Sequence, residues 1–350
     1  MAKYRRGKKI QPAVMTLFVN TPTVNPGSTG EFTVCLSQCA SLVNRRFYRQ
    51  GLNWAVAGFK VYTAPGFEGS VTCKKLPNTW VMSNAWEKSF RAWQKMNNEA
   101  LDETDSIRPK FLDFKIYADA KHHSDGFGAN LLPLDGQLPI AQNYVAGEWI
   151  ASKYAIPATD GTDNVNEREI VAVGANFPGI GASGLNAVSA IEGYAASRGL
   201  PNVLDPNAPG DAADVSGNLP DNWMAALFNE GTDQTTEVIE EMLGSNNIAP
   251  YPFENDGVHT DTMYPGGANQ APTMQIHDIT GISGTTVGGN SYIKGGNFPC
   301  GLIRFDWSLS GDAPTSANLA IQIDLVPGDH RGYLCETMTD RDWEITSLNI

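Results

Sequence analysis

Charge and long apolar runs are both scarce in this chain. Asp, Glu, Lys and Arg make up only 18% of its 350 residues, below the quarter usual for globular domains. No apolar run approaches the roughly 18–20 residues that a membrane-crossing helix needs, so no membrane insertion is expected. The stretch after the basic start is too short and interrupted for a signal-peptide core, so the chain reads as soluble and not secreted. Cysteines number five, at Cys35, Cys39, Cys73, Cys300 and Cys335; an odd, scattered set is no disulfide framework and suits synthesis in a reducing interior. Catalytic words are missing as well. There is no Gly-x-Ser-x-Gly elbow, no Walker lysine and no pair of histidines at zinc-protease spacing. Gly179-Ile180-Gly181-Ala182-Ser183-Gly184 misses the dinucleotide spacing. An enzyme is not expected.

What the chain does have is glycine (35), proline (21) and an apolar content of 41%. That combination has enough apolar surface for a core and enough turns to favour many short strands. Its charge is unevenly laid out. The net charge is −13, yet residues 1–60 hold nine bases against Glu31 alone, a balance of +8. Residues 199–293 contain no Lys or Arg and 13 acids. Such asymmetry says which end can approach an anion.

Strand-like alternation begins at Phe32, Val34 and Leu36 and returns at 52–63, 110–118, 147–156, 169–173, 301–309 and 318–326. With a strand near residue 73, about eight strands are expected, centred on 34, 57, 73, 114, 152, 171, 305 and 322. A helix is expected over 84–101, where Asn84 and Glu87 form a candidate capping box and Trp86, Phe90 and Trp93 a stripe. Others are expected over 184–198, with Ser183 as cap, and over 237–243. The glycine-rich stretch from Gly174 onward reads as an inserted, surface-facing subdomain. Eight antiparallel strands with a helix in one connection suit a jelly roll, although a barrel or an ordinary sandwich fits the same count.

Two basic clusters are the candidate binding residues. The first is the N-terminal arm, with Lys3, Arg5, Arg6, Lys8 and Lys9. Five charges in seven residues can neutralise phosphates without reading sequence, though a localisation signal or a solvated tail has the same composition. In the second cluster, Arg45, Arg46 and Arg49 interleave with Phe47 and Tyr48. That pattern suits a single-stranded nucleic acid or, equally, a contact between subunits. His122, His123, His259, His277 and His330 lack metal-ligand spacing and read as structural. No metal or cofactor is expected: the acidic segment offers oxygen ligands of the kind calcium takes, but no EF-hand spacing.

Several runs are familiar as words. Leu42-Val43-Asn44-Arg45-Arg46-Phe47-Tyr48-Arg49-Gln50-Gly51-Leu52-Asn53-Trp54-Ala55-Val56-Ala57-Gly58 is one, and Leu76-Pro77-Asn78-Thr79-Trp80 another. With Asn84-Ala85-Trp86-Glu87-Lys88 and Arg108-Pro109-Lys110-Phe111-Leu112-Asp113-Phe114, they resemble capsid proteins of small circular, Rep-encoding single-stranded DNA viruses. The resemblance is densest over residues 40–135. It implies an all-β, eight-stranded antiparallel jelly roll that forms an icosahedral shell, a homo-oligomer, around a single-stranded DNA genome. It also implies a place in the virion after synthesis in the host cell, with assembly in the nucleus. Many such relatives carry a longer arginine-rich arm. The expected organisation is a basic arm (1–29), a jelly roll (30–174), an inserted projecting subdomain (175–298) and the last strands with the C-terminus (299–350). A carbohydrate- or receptor-binding β-sandwich is the alternative that the Trp, Tyr and Asn content allows.

Overall fold

The computed structural model describes residues 12–63, 66–103, 113–136, 142–157, 165–198, 223–228, 273–283, 290–310, 316 and 318–338. In chain order the strands are β1 (Thr16–Asn20), β2 (Thr29–Cys35), β3 (Leu52–Tyr62), β4 (Gly69–Lys75), β5 (Tyr154–Pro157), β6 (Val165–Val171) and β7 (Ala187–Ser189). They continue with β8 (Gln275–Ile282), β9 (Asn290–Phe298), β10 (Leu302–Leu309), β11 (Ala320–Leu325), β12 (Pro327–Gly328), β13 (Gly332–Tyr333) and β14 (Cys335–Thr337). The helices are α1 (Leu36–Asn44), α2 (Trp80–Glu103), α3 (Ala120–Asp125), α4 (Ala190–Arg198) and α5 (Trp223–Phe228). They fall into two compact units, one drawn from residues 1–75, 128–149 and 275–340, the other from 76–127, 150–274 and 341–350.

The first unit is an all-β sandwich. One antiparallel sheet runs β1-β11-β3-β9, with β14 added at the start of β3, and the other runs β2-β10-β4-β8. Taken along the chain, first pairs with last: β1 with β11, β2 with β10, β3 with β9, β4 with β8. Alternation decides which side chains turn inward. Phe59 and Val61 of β3 and Ile321 and Ile323 of β11 face Val71 and Cys73 of β4 and Ile303 and Phe305 of β10 in one buried core. Phe59 meets Phe305 edge-on at 5.5 Å, a contact from sheet to sheet. Gly30 lies opposite Trp307, and a Cβ there would stand 2.3 Å from the indole. Its absence leaves room for Phe32 to stack on that ring at 4.2 Å. The segment after Gly128 returns along the outside of β1, where Leu134 N–H donates to Phe18 O at 2.8 Å.

In the second unit β5 and β6 are antiparallel and β6 and β7 parallel. Helix α2 lays Trp86, Phe90 and Trp93 against Phe114, with centroids 5.6–5.8 Å apart. Tyr154 O–H donates to Ser89 O at 2.5 Å, and Trp223 packs on the Tyr154 ring at 4.8 Å.

Several expectations are corrected here. Strands β8 and β9 lie inside the stretch assigned to an insertion, and β1 lies inside the expected arm. The segments near 114, 152 and 171 belong to the second unit rather than the sandwich. Among the described residues of the 110–118 run, Tyr117 forms the single β-bridge, to Val171, while Phe114 packs on helix α2. Helix α2 starts four residues earlier than expected. Thr79 Oγ1, not Asn84, accepts a first-turn N–H, from Met82 at 3.4 Å, and Glu87 pairs with Arg91 one turn on. Helix α4 starts at Ala190, where Ser189 Oγ accepts from Glu192 N–H, because 187–189 pair in β7. The helix expected over 237–243 lies outside the described residues.

Candidate nucleic-acid interface

Helix α1 buries Leu36, Cys39 and Ala40 in the sandwich core and ends on Arg45, which takes the left-handed conformation (φ 54, ψ 34). A side chain there is uncommon, and glycine would cost less. The turn throws Arg45 and Arg46 outward, drives Tyr48 in and returns Arg49 outward. Tyr48 is the anchor. It is fully buried and clusters with Trp54 at 6.0 Å and Tyr333 at 5.4 Å. Its hydroxyl donates to Arg331 O at 3.0 Å. Burial raises the Tyr48 phenol, opposed by Arg46 close by.

Around this anchor the arginines meet aromatic rings. Arg45 lies 5.9 Å from the Tyr144 centroid and Arg49 6.0 Å from that of Phe47. Phe47 in turn lies 6.2 Å from Trp149. Arg331, on the tight turn between β12 and β13, is exposed, has φ 51 and donates from Nη1 to Phe47 O. Burial, with Arg331 beside it, holds His330 below its usual range. Glu148 and Asp329 are the acids on the same loops.

The root of the basic arm sits here too. Arg46 Nη1 donates to Pro12 O at 3.2 Å. Val14 N–H donates to Asn44 Oδ1 at 3.0 Å, and Val14 O accepts from Tyr333 O–H at 2.7 Å. Asn44 Nδ2 donates to Tyr333 Oη at 2.7 Å and to Ala40 O at 2.9 Å. Lys3, Arg5, Arg6, Lys8 and Lys9 lie outside the described residues, but the chain leaving them enters at Arg46. Three expected arginines are therefore brought together and joined by Arg331, Tyr144 and Trp149. Sequence patterns do not point to those three, because they lie about 100 to 280 positions away along the chain. Guanidinium groups pair with phosphate through a planar fork, and aromatic faces accept bases of any identity.

The histidines go elsewhere. His122 Nδ1 accepts from Ala118 N–H at 3.0 Å, and His123 Nε2 lies 3.0 Å from Glu169 Oε2 in a buried pair of the second unit. His277 Nε2 contacts Lys294 O at 2.9 Å; His259 lies outside the described residues. Among the described residues no group of three or more His, Cys, Asp or Glu is arranged to hold a metal ion. No helix among them is long and apolar enough to cross a membrane. Compared with protein-family models, curated proteins and solved structures, the chain matches none.

Proposed function

We propose that this chain is a viral coat protein whose eight-stranded sandwich is a jelly roll, that it assembles into an icosahedral shell, and that it packages single-stranded DNA. The observation that carries the reading is the strand order. Pairing first with last through four successive pairs, shared between sheets β1-β11-β3-β9 and β2-β10-β4-β8, is what rolling one long antiparallel ribbon produces. The second unit then enters between β4 and β8, the fourth and fifth strands of the roll. Arginine and aromatic side chains collected where the basic arm enters support nucleic acid as the partner. The arm supplies a salt-sensitive grip and the Arg45, Arg46, Arg49 and Arg331 cluster extends it. Shell cohesion comes from apolar and aromatic surface buried between copies.

Electron microscopy of the purified full chain tests this reading: closed particles are expected. Unassembled monomers across pH and salt, with thermal stabilisation by added sugars, would favour the carbohydrate-binding alternative instead. Deleting residues 1–9 should lower encapsidated nucleic acid and its salt sensitivity; unchanged values would remove the arm from the packaging role.

A further inference from the structure

The outer face of the sheet β1-β11-β3-β9 carries a pattern that core packing does not explain. Register places Phe18, Gln322, Lys60 and Tyr292 side by side across the four strands. The next rows are Thr16, Asp324, Gly58 and Lys294 on one side, and Asn20, Ala320, Tyr62 and Asn290 on the other. All of these alternate with the buried Leu17, Val19, Phe59, Val61, Ile293, Ile321 and Ile323, so they point away from the core. Phe18 is 44% and Tyr292 65% exposed, too open for residues serving the interior.

We propose that this sheet face is a contact for single-stranded nucleic acid, in which Phe18, Tyr62 and Tyr292 take bases and Lys60 and Lys294 take phosphates. Strands about 4.8 Å apart put Phe18 and Tyr292 about 14 Å apart across the sheet, so one strand of nucleic acid can meet both. Charge agrees with this occupant. Among the described residues, neither Lys60 nor Lys294 forms a side-chain ion pair with a carboxylate, although Asp278 of β8 accepts the Lys294 N–H at 2.9 Å, a bond that with the Lys294 charge holds its carboxyl below the usual range. The acid of these three rows, Asp324, is occupied by Thr16 Oγ1 at 2.8 Å and by the Gln322 amide, which donates from Nε2 at 2.9 and 3.0 Å. On the other sheet, by contrast, Lys74 pairs with Asp306 and Arg304 with Glu31. Lysines at the centre of a patch also disfavour a second copy of the chain as occupant, since they are depleted from protein interfaces. Continuity points the same way. Strand β1 begins seven residues after Lys9, so an anion held by the arm is delivered to the edge of this face. Tyr62 O–H donates to Gln322 Oε1 at 2.6 Å, which holds the central ring in place.

The inference rests on the packaging reading for the identity of the ligand, but not on shell formation, so its test uses binding rather than particles. Full-length protein is irradiated with a bromodeoxyuridine-substituted oligonucleotide, and crosslinked peptides are mapped by mass spectrometry. Adducts on peptides containing Phe18, Tyr62 or Tyr292 are expected. Adducts confined to residues 1–50 outside β1 and to 142–149 would overturn the proposal while leaving packaging by the arm intact. In parallel, fluorescence anisotropy with oligo-dT follows Lys60→Gln/Lys294→Gln across a salt series. The slope of log affinity against log salt should fall by about 1.4, at roughly 0.7 for each phosphate left without its lysine. Tyr292→Ala should weaken binding by about fivefold or more, and Tyr292→Phe should retain it. An unchanged slope, or altered self-association at unchanged affinity, would make the face a contact between copies.

Discussion

Replacing Asn44 with alanine should loosen the root of the basic arm without touching any of its charges. Asn44 joins three segments: its Oδ1 accepts from Val14 N–H at 3.0 Å, and its Nδ2 donates to Ala40 O at 2.9 Å and to Tyr333 Oη at 2.7 Å. Each such bond contributes roughly 0.5–1.5 kcal/mol net. The Val14 bond is exposed, so water replaces it and its removal sits at the low end. Alanine returns a few tenths of a kcal/mol as the better helix former. The net cost is about 1–3 kcal/mol. Hydrogen exchange at the Val14 amide should therefore quicken by about 5- to 150-fold. The oligo-dT salt slope should stay put, because every cation is kept. Asn44→Asp separates the terms. Its carboxylate still accepts from Val14 N–H but cannot donate to Ala40 O or to Tyr333 Oη, whose one proton already goes to Val14 O. About half the effect is expected. Unchanged Val14 exchange in Asn44→Ala would refute the idea that this side chain ties the arm to the sandwich.

Other outcomes follow from the same structure. Phe305→Ala empties the fully buried site that meets Phe59 between the sheets and should cost about 3–5 kcal/mol in urea denaturation, with little change in m. Replacing Arg45, Arg46 and Arg49 together with glutamine should lower the oligo-dT salt slope by about 2. Burial pushes the Cys73 and Cys300 thiols well up and Cys335 to about 12. All three stay protonated in the fold while an unfolded thiol, at 9.0, ionises. Stability should thus fall as pH rises from about 9 toward 12, and alkylation of these thiols at pH 8 should need urea.

The strands β2, β3, β10 and β11 could be read directly, because apolar residues turned into the core alternate with more polar ones over much of each strand, and a period of two survives in the sequence. Helix α2 was legible for the matching reason, an apolar stripe at spacings of three and four. Strands β8 and β9 were not. A bulge beside His277 and Asp278 breaks the alternation of β8, and Gly295 and Gly296 interrupt β9, so neither shows a clean period. Gly295 is small for a reason that needs the partner strand: a Cβ there would stand 2.2 Å from Ala57 O. Asn84 and Glu87 had the spacing of a cap, but the helix begins at Trp80, where Thr79 accepts the first-turn N–H of Met82.

By itself the sequence determined the β-rich core, the uneven charge and the presence of Arg45, Arg46 and Arg49 beside two aromatics. These are local properties, set by composition and by neighbours a few residues away. Only the tertiary structure decided which strands share the sandwich. It also brought Arg331, Tyr144 and Trp149 to the arginine cluster and aligned Phe18, Lys60 and Tyr292 in one row. Pairing β1 with β11 closes a loop of about 300 residues, and no local pattern encodes a partner that distant; the burial of two sheets against each other selects it.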